Sequence, residues 1–255
     1  MKLRDKTALI FGGTSGIGEA AAELFAREGA KLTIVGRSDS GNDVVGRIIR
    51  GGGEASFVRG DVSVVNDIRS AIDQHLAKYS KIDVLFNNAS KESNGQSVID
   101  TSEEEFDKLL ATNFKAVFMS CKFAAPHMIK AGRGSIINTS AASARDGLAW
   151  AGLGAYIGSK GAVIAFSRAL AVELSPLGIR VNTLNPGLVD TPMLRRYLHS
   201  QPDPEALLKT LAEAQLLKRI GLPTELAKAA LFLACDDGSF VTGTDMLVDG
   251  GLVLG

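Results

Sequence analysis

The chain has 255 residues, 45% of them hydrophobic, which suffices for one sizeable core and not for two comfortable ones, so a single domain over residues 1–255 is expected. Its 28 basic and 28 acidic side chains cancel, which removes the net field that would draw nucleic acid or an anionic membrane and leaves a small molecule as the expected partner. The apolar run after the charged N-terminal residues is shorter than a signal-peptide core, and no stretch approaches the roughly 18 apolar residues of a membrane span, so a cytoplasmic protein without a membrane partner is expected.

That first apolar run, residues 7–11, reads as a buried strand, and it leads through Gly12-Gly13-Thr14-Ser15-Gly16-Ile17-Gly18 into an amphipathic stretch over residues 16–28. Further short apolar or β-branched runs at 31–35, 55–58, 83–87, 135–139 and 180–184 read as strands. Stretches at 67–78, 103–130 and 154–174 carry apolar residues at helical spacing. Gly51, Gly52 and Gly53 fall between a helix and the next strand and form a loop. Strand and helix alternating in this way dictate parallel strands with right-handed crossovers, covered by helices on both faces, which is a doubly wound α/β sheet. Only residues 190–218 break the rhythm, where Pro192, Pro202 and Pro204 separate short apolar helical pieces; this segment is a candidate lid.

The glycines between the first strand and the first helix let the backbone approach a pyrophosphate, and the helix N-terminus offers unpaired N–H groups and a partial positive charge. Following the first strand of an α/β sheet, the segment reads as a dinucleotide site. Tyr156 and Lys160, four residues apart at the start of the helix over 154–174, lie on one face a turn apart. A phenol is a poor base at neutral pH, and a nearby ammonium favours its phenolate, so the pair reads as a proton-transfer device. His75, His127 and His199 share no ligand spacing and no CxxC occurs, so no metal site is expected. Cys121 and Cys235 each sit in an apolar helical pattern and read as buried free thiols.

The spacing Gly12-x-x-x-Gly16-x-Gly18 resembles that of the short-chain dehydrogenase/reductase family, and further matches cover nearly the whole chain. They are Asp61-Val62, Asn87-Asn88-Ala89, Asn113, Tyr156-x-x-x-Lys160, Asn185-Pro186-Gly187, and the ending Val241-Thr242-Gly243 with Val248-Asp249-Gly250-Gly251. The resemblance implies a Rossmann-type sheet of about seven parallel strands and an oxidoreductase that interconverts a carbonyl and a secondary alcohol. It implies that Gly12, Thr14, Ser15, Gly16, Ile17 and Gly18 cradle the dinucleotide and that Asp61 and Val62 border its adenine. Asn88 and Ala89 would lie beside it at the end of the fourth strand, and Pro186, Gly187, Val189 and Thr191 would face the carboxamide. Tyr156 would be the general acid/base, Lys160 would also hold the nicotinamide ribose, and Asn113 would position a water. Two residues depart from the family pattern: Phe11 replaces a threonine whose hydroxyl helps to tie strand one to strand four, and Ser90 replaces a glycine.

The family's substrate-orienting serine is displaced here. Its usual place, three residues past Asn138, holds Ala141; counting 13 residues back from Tyr156 gives Ser143, with Ser140 as the alternative. At the end of the second strand Gly36 stands where an NAD enzyme places an acid, and Arg37 and Ser38 follow, whose guanidinium and hydroxyl suit a 2′-phosphate. NADP(H) is therefore the expected cofactor, with NAD(H) left open. Leu148, Trp150 and Leu153, with lid residues such as Leu194, Leu198 and Leu208, would border a pocket for a hydrophobic ketone or secondary alcohol, unless the leucines only pack the lid down. By resemblance, the helices over 103–130 and 154–174 and the segment 241–255 would carry the contacts of a homotetramer, or failing that a dimer. A dinucleotide-binding sensor or scaffold that has lost turnover is the rival. The displaced serine supports it, and the presence of both Tyr156 and Lys160 opposes it; Lys160 also disfavours a dehalogenase on this fold, where arginine takes that place.

Overall fold

The computed structural model of the protein describes residues 1–147 and 151–254. Among these, seven parallel strands form one sheet: β1 (Thr7–Phe11), β2 (Lys31–Gly36), β3 (Glu54–Arg59), β4 (Val84–Asn87), β5 (Gly134–Thr139), β6 (Ile179–Pro186) and β7 (Asp245–Val248). Their order is β3-β2-β1-β4-β5-β6-β7. After β3 the chain crosses back to the far side of β1, so the crevice between β1 and β4 is the topological switch point where such sheets bind ligands.

One face of the sheet is covered by α1 (Gly16–Arg27), α2 (Ser40–Arg50) and α10 (Pro223–Ala234), through Ala22, Phe25, Val44, Ile48, Leu226 and Ala230. The other is covered by α3 (Val65–Tyr79), α5 (Ala116–Ala131) and α7 (Gly154–Leu174), through Ile68, Ile72, Ala124, Val163 and Ala171. Burial on both faces is why β1 is apolar at nearly every position and buried at all of them. The remaining helices, α4 (Glu103–Leu110), α6 (Ala142–Asp146), α8 (Pro192–His199) and α9 (Pro204–Glu213), lie at or near the cleft end of the sheet. No helix of the described residues is long and apolar enough to cross a membrane.

The six strands expected from the sequence are present, with ends displaced by no more than two residues. The helix expected over 103–130 departs from its pattern: α4 and α5 are joined by a single π-helical turn, Ala111–Lys115, centred on Asn113. Phe11 does not untie strand one from strand four. Its ring is buried, its carbonyl accepts from Asn88 N–H at 2.9 Å, and Asn88 Nδ2 donates to Gly12 O at 3.2 Å. Both cysteines are buried and free; Cys235 caps the end of α10 rather than lying inside it.

His75 is a core residue, fully buried on α3, with Nδ1 on Thr33 Oγ1 at 2.8 Å and Nε2 on Lys81 O at 3.1 Å. Burial pushes it down from 6.5 to about 4, against the opposing bond to Lys81 O. As pH falls through 6.5 the unfolded chain takes up a proton that the folded chain refuses until about pH 4. Stability is therefore complete above 6.5 and declines between these values, by roughly 3 kcal/mol from this group. Urea unfolding of wild type and His75→Gln at pH 7 and near pH 4.5 tests this: the loss on acidification is expected to be smaller in the variant.

Candidate active site

At Gly12, Gly13 and Gly18 the glycine-rich turn is packed so closely that a Cβ would come within 3.0 Å of a neighbouring atom. A Cβ on Gly18 would lie 2.0 Å from Gly12 O, and a Cβ on Gly12, whose φ is +81°, would lie 2.6 Å from Ala89 N. Ser15 is the N-cap of α1 yet makes no side-chain cap bond, which leaves the N–H groups of the first turn to an anion. Thr14 lies against Gly36, Ile17 packs into the core, and Thr191 lies beside Gly16. The bare backbone and open helix terminus between β1 and β4 fit the pyrophosphate of a dinucleotide.

Around this turn the strand ends gather the other expected residues. Asn88 donates to Gly12 O and accepts from Thr139 Oγ1 at 3.3 Å, joining the ends of β1, β4 and β5. Asp61 is held by Ser63, and Val62 is buried against the core beside Ala89. Arg37 is 80% exposed at the end of β2, with Nη1 3.8 Å from Asp61 Oδ2; Ser38 Oγ accepts from Ser40 Oγ at 2.9 Å. Pro186 ends β6, Gly187 N–H donates to Val248 O at 3.1 Å, and Val189 is buried and bridged to Gly221. That bridge, with Asp190 N–H on Gly221 O and Gly221 N–H on Leu188 O, both 2.9 Å, pinches together the base of segment 190–218.

In that segment Thr191 and Asp203 cap α8 and α9 by accepting from Leu194 N–H and Ala206 N–H. Leu198 is buried, whereas α9 buries none of its residues, so Leu208 stays exposed. Arg196 of α8 meets Glu92 at 3.1 and 3.2 Å, 104 residues away in sequence, which fastens α8 across the cleft. The pocket residues Leu148 and Trp150 lie outside the described residues.

Tyr156 and Lys160 share one face of α7. Lys160 is almost completely buried, with no carboxylate partner among the described residues; its Nζ donates to Thr139 O at 3.0 Å, and burial pushes it down to about 7. The half-buried Tyr156 is pushed up to about 12, chiefly by burial, with the polar Ser90 side chain opposing the shift and the Glu92 carboxylate adding to it. Without a further cation the phenol is therefore protonated at neutral pH.

Asn113 is fully buried, and its amide is committed. Oδ1 accepts from Lys91 N–H at 2.7 Å, while Nδ2 donates to Lys91 O at 3.0 Å and to Ser159 Oγ at 3.1 Å. It thus locks the loop after β4 onto α7, and the π turn is the backbone distortion that accompanies this placement. Ser140 is likewise committed, donating to Lys160 O at 2.8 Å. Ser143, buried at the start of α6 on the same cleft edge, makes no side-chain hydrogen bond among the described residues. Sequence reasoning missed Glu92 and Arg196, which carry no motif, and treated Ser90 only as a departure from pattern.

A family model described as Enoyl-(Acyl carrier protein) reductase matches residues 12–253. An uncharacterized oxidoreductase of Thermotoga maritima is 38% identical over 98% of both chains, and cyclopentanol dehydrogenase of a Comamonas species is 38% identical with the same coverage of each. The crystal structure of levodione reductase superposes with a TM-score of 0.95 at 30% identity, covering 99% of each chain. A Rossmann-type sheet with a bare glycine turn, a Tyr-Lys pair on one helix face and matches of this extent lead to one conclusion: the chain is an oxidoreductase of the short-chain dehydrogenase/reductase family.

Proposed function

We propose that the protein interconverts a hydrophobic ketone and its secondary alcohol with NADP(H), using Tyr156 as general acid/base. The observation that carries this is the Tyr156–Lys160 pair on α7 at the cleft edge, next to a glycine turn that fits a dinucleotide pyrophosphate. When bound, the nicotinamide supplies or accepts the hydride.

In reduction, Tyr156 Oη gives its proton to the carbonyl oxygen as charge develops there; in oxidation it takes the proton from the alcohol. Lys160, already short of hydration, favours the phenolate when charged and holds the ribose hydroxyls. Ser143 orients the substrate oxygen, a role for which its uncommitted hydroxyl suits it better than Ser140. Such a donor to a developing oxyanion is worth on the order of 3 kcal/mol of barrier. Asn113 holds the cleft loop in place through Lys91 and, by resemblance, positions a water. Segment 190–218 acts as the lid, hinged at the Val189–Gly221 bridge and fastened by Arg196 and Glu92. Its partly exposed leucines and the relatives named for cyclopentanol and levodione support an uncharged, apolar substrate.

The exposed Arg37 guanidinium and the absence of an acid at Gly36 support NADP(H) over NAD(H). Asp61 and Val62 border the adenine, and Pro186, Gly187, Val189 and Thr191 border the nicotinamide end. Exposed Phe118 on α5 and Val172 on α7 support subunit contacts in a homotetramer, which light scattering would read as four chain masses.

The test is consumption of NADPH and NADH against a panel of ketones, diketones and acyl thioesters. Turnover of uncharged ketones is expected, with kcat/KM for NADPH at least about tenfold above NADH, or some 1.4 kcal/mol. Turnover confined to charged thioesters would reject the substrate class. Cofactor binding without any turnover would favour the sensor.

A further inference from the structure

The glycine that ends β2 is not required by its backbone. Gly36 lies outside the left-handed region, its carbonyl accepts from Gly60 N–H at 3.0 Å, and it pairs with Arg59 of β3, so other residues could continue the strand there. What forbids a side chain is one neighbour. A Cβ on Gly36 would lie 2.6 Å from Thr14 Cγ2, 2.8 Å from Thr14 Oγ1 and 3.3 Å from Thr14 Cβ.

Thr14 cannot clear that space by turning. Its Cβ carries two heavy branches and one hydrogen, so each staggered rotamer leaves at least one heavy atom in the two positions that face Gly36. Nor can its backbone withdraw. Gly12 N–H and Gly13 N–H donate to Val35 O at 2.8 and 3.2 Å, Gly13 is pressed onto Ile34, and Ser40 Oγ donates to Thr14 O at 3.3 Å. The Thr14 side chain therefore stands where the side chain of an acid at position 36 would have to start on its way to the adenosine ribose.

We propose that Thr14 is a specificity-determining residue of this chain: by filling the space beside Gly36 it excludes the ribose-binding acid of NAD(H) recognition, so that residues 14 and 36 set the cofactor preference as a pair. This rests on the reading of the glycine turn as an NADP(H) site. With the acid excluded, a 2′-phosphate is the group that distinguishes the two dinucleotides, and Arg37, next in the chain and 80% exposed, is placed to take it. An exchange at position 36 alone then meets the Thr14 clash and does not convert the preference; it needs a smaller residue at position 14.

The test is a double-mutant cycle over Thr14→Ala and Gly36→Asp, with Gly36→Ala made in both backgrounds. Melting of the cofactor-free proteins reads the clash, and isothermal titration of NADPH and NADH reads recognition. Gly36→Ala is expected to lower Tm by several degrees in the wild-type background, and by less than half as much beside Thr14→Ala. Thr14→Ala/Gly36→Asp is expected to bind NADH at least about tenfold more tightly than Gly36→Asp does, and to bind NADPH more weakly than wild type. Should Gly36→Asp not fold, the Gly36→Ala pair carries the comparison. Equal losses of Tm in the two backgrounds, or an equal gain of NADH affinity with and without Thr14→Ala, overturn the role of Thr14 and leave the NADP(H) reading standing. Wild type binding NADH as tightly as NADPH overturns that reading and this inference with it.

Discussion

Tyr156→Phe is expected to lower kcat by between about 10²- and 10⁴-fold, the range that a positioned proton-transfer group supplies, while cofactor affinity and thermal stability stay near wild type. Lys160→Met is expected to lose turnover as well, but to move stability the other way. Lys160 is buried with no carboxylate beside it among the described residues, and its amine is held down at about 7 against 10.5 when exposed. Between these values the unfolded chain carries a proton that the folded chain does not. Stability is therefore lost as pH falls from 10.5 toward 7, on the order of 3–5 kcal/mol for this one group.

A methionine of similar length fills the space without that cost, so the cofactor-free variant should melt at least several degrees higher at neutral pH. Gaining stability while losing activity is what an active-site group kept against its packing preference predicts. Calorimetry of both variants beside turnover checks it. A Lys160→Met protein less stable than wild type would mean that the ammonium is better solvated than its single bond to Thr139 O implies.

Gly18→Ala is expected to weaken dinucleotide binding by more than about 100-fold and to destabilise the fold by roughly 1–3 kcal/mol, the usual cost of forcing extra volume into a packed site. The added methyl would sit 2.0 Å from Gly12 O and 2.8 Å from Asn88 Nδ2. Both are fixed: Gly12 N–H is bonded to Val35 O, and Asn88 is tied to Gly12 and Thr139. Relief therefore requires the turn itself to move away from the N-terminus of α1. Gly46→Ala in α2 is the matched control, since its methyl would meet only the tip of Arg50 at 3.3 Å and should stabilise the helix slightly. Isothermal titration of NADPH into the two variants separates a specific loss of the cradle from a general intolerance of alanine.

Several features were legible in the chain because their causes are local. The apolar run 7–11 reads as a buried strand because no polar side alternates with it, and it is β1 with the same ends. The break in rhythm at 190–218 was visible through its prolines, and α8 and α9 begin at two of them. Helical periodicity alone could not show the π turn at Asn113, because an asparagine anchored to a distant loop leaves the apolar spacing on either side intact. Nor could counting along the chain choose between Ser140 and Ser143. They differ in what their hydroxyls meet, and Ser140 meets Lys160 O, 20 residues on.

By itself, then, the sequence determined the alternation of strands and helices, the glycine turn and the spacing of Tyr156 and Lys160, all of which depend on residues within a few positions of one another. Tertiary structure alone decided that Ser90 reaches Asn113, that Arg196 meets Glu92, and that Lys160 lies buried against Thr139. Those contacts form only when strand ends and loops far apart in the chain are gathered at one edge of the sheet, and no local pattern records which of them will touch.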